Sequence, residues 1–146
     1  MARFSSAWRT AGAGSTTLPI AGLTATATCR LMIREIGVFN TTGTAVVLAL
    51  RRMSALGTPG STVATVPEDD NSQTAVGVPK DTWTVTGTFG TGSIRVASLG
   101  AAVGSGIIWT FSDSGVVIPN TTTDAIVVVP YTGTGQICDV SLTWDE

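Results

Sequence analysis

Two short stretches carry residue types whose spacing could do chemistry. Asp113-Ser114-Gly115 has the Asp-Ser/Thr-Gly order used by aspartic proteases. One copy per chain would need a homodimer, so that two carboxylates could meet and share one proton. Val116-Val117 stands where a small residue usually follows that glycine, and no hydrophobic-Gly flap element lies downstream. Asp-Ser-Gly is also a common β-turn, because Asp bonds its own backbone and Gly supplies positive φ. A dimeric aspartic protease using Asp113 is therefore the third-ranked reading. The second stretch, Glu68-Asp69-Asp70-Asn71, gathers carboxylates as Ca²⁺ prefers. Its spacing is not that of an EF-hand, and an acidic run in a loop is ordinarily solvated. No metal is expected there.

The remaining chemistry is sparse. The chain has no histidine, which removes Ser-His-Asp and Cys-His catalysis and the usual zinc and haem ligands. No Gly-x-Ser-x-Gly elbow and no P-loop occurs. Gly12-Ala13-Gly14 and Gly104-Ser105-Gly106 lack the third glycine of a dinucleotide fingerprint and read as turns. Cys29 and Cys138 match no zinc spacing and are too few for a disulfide framework. They are expected to be reduced, a bridge between them being the alternative. Trp8, Trp83, Trp109 and Trp144 could form a sugar-stacking platform, but each falls inside a predicted strand, where core packing is the default. No catalytic residue and no cofactor is expected.

The elements that carry these residues repeat with a period of two. Cys138, Val140, Leu142 and Trp144 alternate with Ile137, Asp139, Ser141 and Thr143, so the first set should face a core. Val46, Leu48 and Leu50 behave alike, and Thr82-Trp83-Thr84-Val85-Thr86 places Trp83 and Val85 on one face. Strands are predicted over 4–9, 16–20, 30–39, 45–52, 62–66, 82–86, 93–98, 106–111, 116–118, 125–130 and 136–144. Between Ile33 and Ile36 the apolar parity shifts, which predicts a β-bulge at Arg34-Glu35. Gly, Pro and Asn turns separate the runs at short intervals. Asn40-Thr41-Thr42 before Val46-Leu48 is echoed by Asn120-Thr121-Thr122 before Ile126-Val128, as two stacked Greek keys would give. The expected fold is all-β, an antiparallel β-sandwich or jelly roll forming one domain over 1–146. A possible N-terminal arm (about 1–15) and a long loop (about 57–80) complete it.

Composition narrows the function. Charged residues make up 12% of the chain, about half the usual share. A surface so poor in charge suits a protein that spends its life assembled, and a homo-oligomer, trimer or dimer, is expected. The formal charge of −2 disfavours nucleic acid, whose binding draws on Lys and Arg. Arg30, Arg34, Arg51 and Arg52 gather, but Glu35 interrupts them. No secretory leader is visible after Met1, and runs such as 45–50 are too short for a bilayer. The expected site of synthesis is the cytoplasm, with no membrane partner.

Met1-Ala2-Arg3-Phe4-Ser5, the stretch from Ile33-Arg34-Glu35 to Asn40-Thr41-Thr42, and Gly133-Thr134-Gly135-Gln136-Ile137-Cys138-Asp139-Val140 together resemble small Thr/Gly/Val-rich structural proteins of tailed bacteriophages, above all head decoration (cement) proteins. The resemblance implies a self-associated subunit on the capsid exterior of a virion, clamping and stabilising the major capsid protein. It carries over no site residue. Phe4 and Trp8, near a terminus that could extend as an arm, are the candidate partner contacts. A tail or fibre component with a glycan-binding face is the alternative.

Overall fold

The computed structural model describes residues 1–69 and 73–146. It is a sandwich of two antiparallel sheets, with no helix among the described residues. In chain order the strands are β1 (Arg3–Arg9), β2 (Ala21–Thr24), β3 (Leu31–Asn40), β4 (Val46–Ala55), β5 (Val66–Pro67), β6 (Val78–Lys80), β7 (Thr88–Phe89), β8 (Arg95–Leu99), β9 (Gly106–Thr110), β10 (Val116–Ile118), β11 (Ala125–Thr132) and β12 (Cys138–Asp145).

The first sheet runs β5-β1-β12-β3, and β9 and β10 share the far edge of β3. The second runs β6-β2-β11-β4, and β7 and β8 share the far edge of β4. The early strands pair with the late ones in reverse order: β1 with β12, β2 with β11, β3 with β9 and β4 with β8. This is the jelly-roll pattern, a long antiparallel hairpin rolled into two sheets. Successive strands therefore change sheets at every connection except β6–β7, β7–β8 and β9–β10. The two halves of the internal echo, β4 and β11, lie side by side in the second sheet.

Alternation sets the core. Cys138, Val140, Leu142 and Trp144 are buried, as are Val46, Leu48 and Leu50. The bulge is present where the parity shifts: β12 pairs Thr143 with Glu35 and then Trp144 with Ile33, leaving Arg34 as the extra residue. Ile33 and Ile36 thereby both reach the core.

Several expected elements differ. The segment 16–20 is not a strand; Ser15 and Leu18 close on each other in a tight turn. The ladder starts after Pro19, which has no N–H to donate. The segment 82–86 also lies outside the sheets, touching Thr58 through Val85 in an isolated bridge. Trp83 and Val85 do not share a face, since Trp83 is 1% exposed and Val85 54%. The long loop over 57–80 contains β5 and β6. The strand predicted over 4–9 is present as β1, and because it pairs with β12 along its whole length, from Arg3↔Asp145 to Arg9↔Asp139, these residues do not extend as an arm.

Candidate interaction surfaces

The residues singled out for chemistry lie apart. Asp113 is exposed in the turn between β9 and β10, where Gly115 N–H donates to Ser112 O at 2.7 Å. The Ser112 and Asp113 backbone carbonyls accept from the Arg34 guanidinium, so this turn anchors β3. Glu68 and Asp69 are exposed after β5; Asp70 and Asn71 lie outside the described residues. Among the described residues no three His, Cys, Asp or Glu side chains cluster as a metal site would require.

Cys29 and Cys138 are free thiols. Cys138 opens β12, whereas Cys29 Sγ lies 3.6 Å from Glu146 Oε2, just beyond the other end of that strand. Eight extended residues span roughly 27 Å, far beyond disulfide reach. Burial pushes the Cys138 thiol up to about 11.

Most of the aromatic residues and several arginines serve the scaffold, although Tyr131 is 51% exposed. Trp83, Trp109 and Trp144 are buried and Trp8 is half-buried. Phe4 is 2% exposed and stacks on Trp144 with ring centroids 6.0 Å apart, so in the folded domain it belongs to the core and cannot serve as a surface contact. Arg51 lies over the Phe89 ring at 4.6 Å. Arg52 Nη1 donates to Val117 O at 2.6 Å, and Arg95 lies over Phe111 at 5.6 Å. The last two contacts strap the second sheet to the first across their shared open edge.

The outer faces of the two sheets differ. That of the second sheet is covered. The chain returns over it so that Trp83 packs with Met53, Ala125 and Val127, flanked by Leu18, Leu56 and Phe89. Trp83 Nε1 donates to Leu56 O at 2.7 Å, and Trp83 N–H donates to Pro19 O at 2.9 Å. The outer face of the first sheet has no such layer among the described residues. Register places Ala7, Ser141, Gly37 and Ile108 in one row across it. Ile108 is 53% exposed, and Val66, level with Ser5 at the β5 edge, is 58% exposed. That row carries no charge, whereas the next row, Ser5, Thr143, Glu35 and Thr110, contains the partly exposed Glu35. The margins of the face carry ion pairs: Arg9–Asp139 at 2.7 Å at one end, and Asp145 between Arg3 (2.8 Å) and Arg34 (2.5 Å) at the other. Hydrogen bonds from these guanidinium groups hold both carboxyls below the usual carboxylate range.

The jelly-roll connections also bring loops 41–45, 100–105 and 133–137 to one end of the sandwich. Asn40, 1% exposed, ties them together. Its Nδ2 donates to the carbonyls of Thr44 (2.6 Å) and Gly100 (3.2 Å), and its Oδ1 accepts from Thr42 N–H at 3.0 Å. Thr41 Oγ1 donates to Ile137 O at 2.6 Å, and the Thr42 hydroxyl bonds the Gln136 amide oxygen at 2.7 Å. None of the three loops contains Lys, Arg, Asp or Glu. Their most exposed large apolar side chain is Val103, at 74%. Sequence reasoning passed over this end because neutral Gly/Thr/Ala loops look like plain turns one at a time.

Comparison with known protein families, curated proteins and solved structures found no match for the chain.

Proposed function

We propose that this chain is a non-enzymatic virion structural protein, a decoration subunit that binds the major capsid protein on the shell exterior and stabilises the lattice. The observation that carries the reading is the uncovered outer face of the first sheet, with its charge-free row Ala7, Ser141, Gly37 and Ile108, on a jelly roll whose other sheet is covered by its own chain. An uncovered sheet face with paired charges at its margins suits broad contact with another protein. Jelly rolls recur in viral shells, which supports the reading by fold-level analogy, and the likeness to head decoration proteins points the same way. Binding the assembled shell in preference to free subunits stabilises it by mass action, and many symmetric copies add avidity.

The test is mass analysis and imaging of purified particles, followed by removal of this protein. The expected result is a copy on the capsid exterior whose loss lowers the temperature at which shells rupture. Ile108→Arg on the bare face should abolish attachment without lowering the melting midpoint of the free protein. Presence only in tails or fibres would transfer the reading to a tail component with a glycan-binding face. Absence from particles would end the structural reading.

A further inference from the structure

We infer that the free edge of β9 takes an extended, uncharged, β-branched segment of a partner protein as an added strand of the first sheet. The occupant is named independently of the capsid reading, because a backbone edge recognises a chain conformation whatever particle the partner belongs to.

An open strand edge presents a row of N–H and C=O groups, and folded proteins ordinarily blunt it with a short strand, Pro, Lys or a covering segment. Most outer strands here are blunted in that way. β5 and β7 have two residues each, and β5 ends in Pro67. β6 has three residues, including Pro79 and Lys80, and Val63 N–H donates to Pro79 O at 3.0 Å. β10 has three, and Arg52 caps Val117 O. β8 opens on the charge of Arg95. β9 has five residues with no charge and no Pro, and it pairs with β3 alone. Phe111 N–H donates to Arg34 O at 2.9 Å and Asn40 N–H to Ser105 O at 2.7 Å, so odd-numbered residues here turn their backbone towards β3. Gly106, Ile108 and Thr110 turn theirs away, and all three are exposed.

The edge selects its occupant. Alternating N–H and C=O groups are matched by a second extended backbone, whereas a helix spends its own groups internally. Side chains of the added strand beside Gly106, Ile108 and Thr110 fall on the outer face. Ile108 is 53% exposed there. A Cβ on Gly106 would collide with the half-buried Phe39 ring, so that ring fills the place of the missing side chain and reaches the sheet margin. β-Branched residues suit such a pleated apolar border, and an unpaired charge beside it would be desolvated. A second copy of β9 fits poorly. The two-fold register that uses the whole strand sets Gly106 against Thr110 of the second copy, and the row then runs Phe39, Gly106, Thr110, Glu35, bringing the aromatic ring towards a carboxylate.

The probe is a seven-residue peptide of alternating valine and threonine, acetylated and amidated at its ends. With its valines beside Ile108 and Phe39, the valine amides face β9 and the threonine amides face solvent. Wild-type protein should therefore bind the peptide N-methylated at its threonines, and methylation at the valines instead should weaken binding about tenfold or more. In the threonine-methylated complex the Ile108 and Thr110 amides should exchange with solvent about tenfold more slowly. Ile108→Pro removes an outward N–H and no ladder bond, so it should abolish binding while β9 stays paired to β3; where that variant melts early, amide exchange in the wild type decides. Equal binding of the two methylated peptides overturns the inference, as does a bound peptide that leaves these amides unprotected, or no binding at millimolar peptide. Protection of the same amides that rises with protein concentration in the absence of peptide assigns the edge to a second copy and likewise overturns it. Each of these failures leaves the particle-attachment test of the capsid reading untouched.

Discussion

At the scale of single residues, Asp145 does the most electrostatic work. Its side chain is 6% exposed, it closes the pairing of β1 with β12, and it accepts from Arg3 and from the bulged Arg34. Arg34 is free to reach it because the bulge takes that residue out of the ordinary pleat. The hydrogen bond from Arg3, opposed by burial and reinforced by Arg34, lowers the Asp145 pKa. A carboxyl whose folded pKa is depressed contributes stability that is present above the unfolded value, about 3.9, and is lost as pH falls through the folded value. The wild-type denaturation midpoint should therefore fall below about pH 4. Asp145→Asn should flatten that acid limb and cost about 1–3 kcal/mol at neutral pH, because Arg34 is left without its anion. An acid limb of unchanged steepness in the variant, followed by circular dichroism, would show that other carboxylates dominate.

At the scale of elements, the layer over the second sheet depends on one missing side chain. Gly22 lies in β2 beneath the Trp83 ring, and a Cβ there would sit 2.8 Å from Trp83 Cη2 and 2.7 Å from Val127 Cγ1. Real Cβ atoms do not approach so closely, so either the ring or the strand must move. Gly22→Ala should cost about 1–3 kcal/mol by overpacking, and Trp83→Ala about 3–5 kcal/mol by leaving a cavity. In both variants amide exchange should rise over 56–62 and 81–87 while β12 stays protected, because the layer is a separate and less stable unit. Equal loss of protection in β12 would mean that the layer and the sandwich unfold together.

At the scale of the molecule, the jelly roll joins the two extremes of the sequence. β1 and β12 pair at the centre of the first sheet, and β2 and β11 at the centre of the second. Closing such long loops must precede most of the stabilising contacts, so folding should take milliseconds to seconds and not microseconds. Stopped-flow refolding followed by tryptophan fluorescence reads this directly, since Trp144 on β12 enters the core only when that strand docks. A sub-millisecond single phase would contradict the topology.

What the sequence alone determined is what depends on near neighbours. Alternation from Cys138 to Trp144 shows which face of β12 turns inward, because successive side chains on a strand point to opposite sides whatever that strand pairs with. The shift between Ile33 and Ile36 locates the bulge for the same reason. The absence of histidine and the scarcity of charge are likewise visible without a fold. Tertiary structure decided everything that depends on distant segments. Thr82-Trp83-Thr84-Val85-Thr86 alternates like a strand, but Trp83 is placed by Gly22, Leu56 and Val127, which lie far off in the chain. Phe4 reads as part of a loose arm until Trp144, 140 residues away, supplies the ring it stacks on. The three neutral loops become one surface only because the crossings β3–β4, β8–β9 and β11–β12 all turn at the same end, while β2–β3 and β10–β11 turn at the other. Local periodicity records which way a side chain points; the chain's long crossings decide what it meets there.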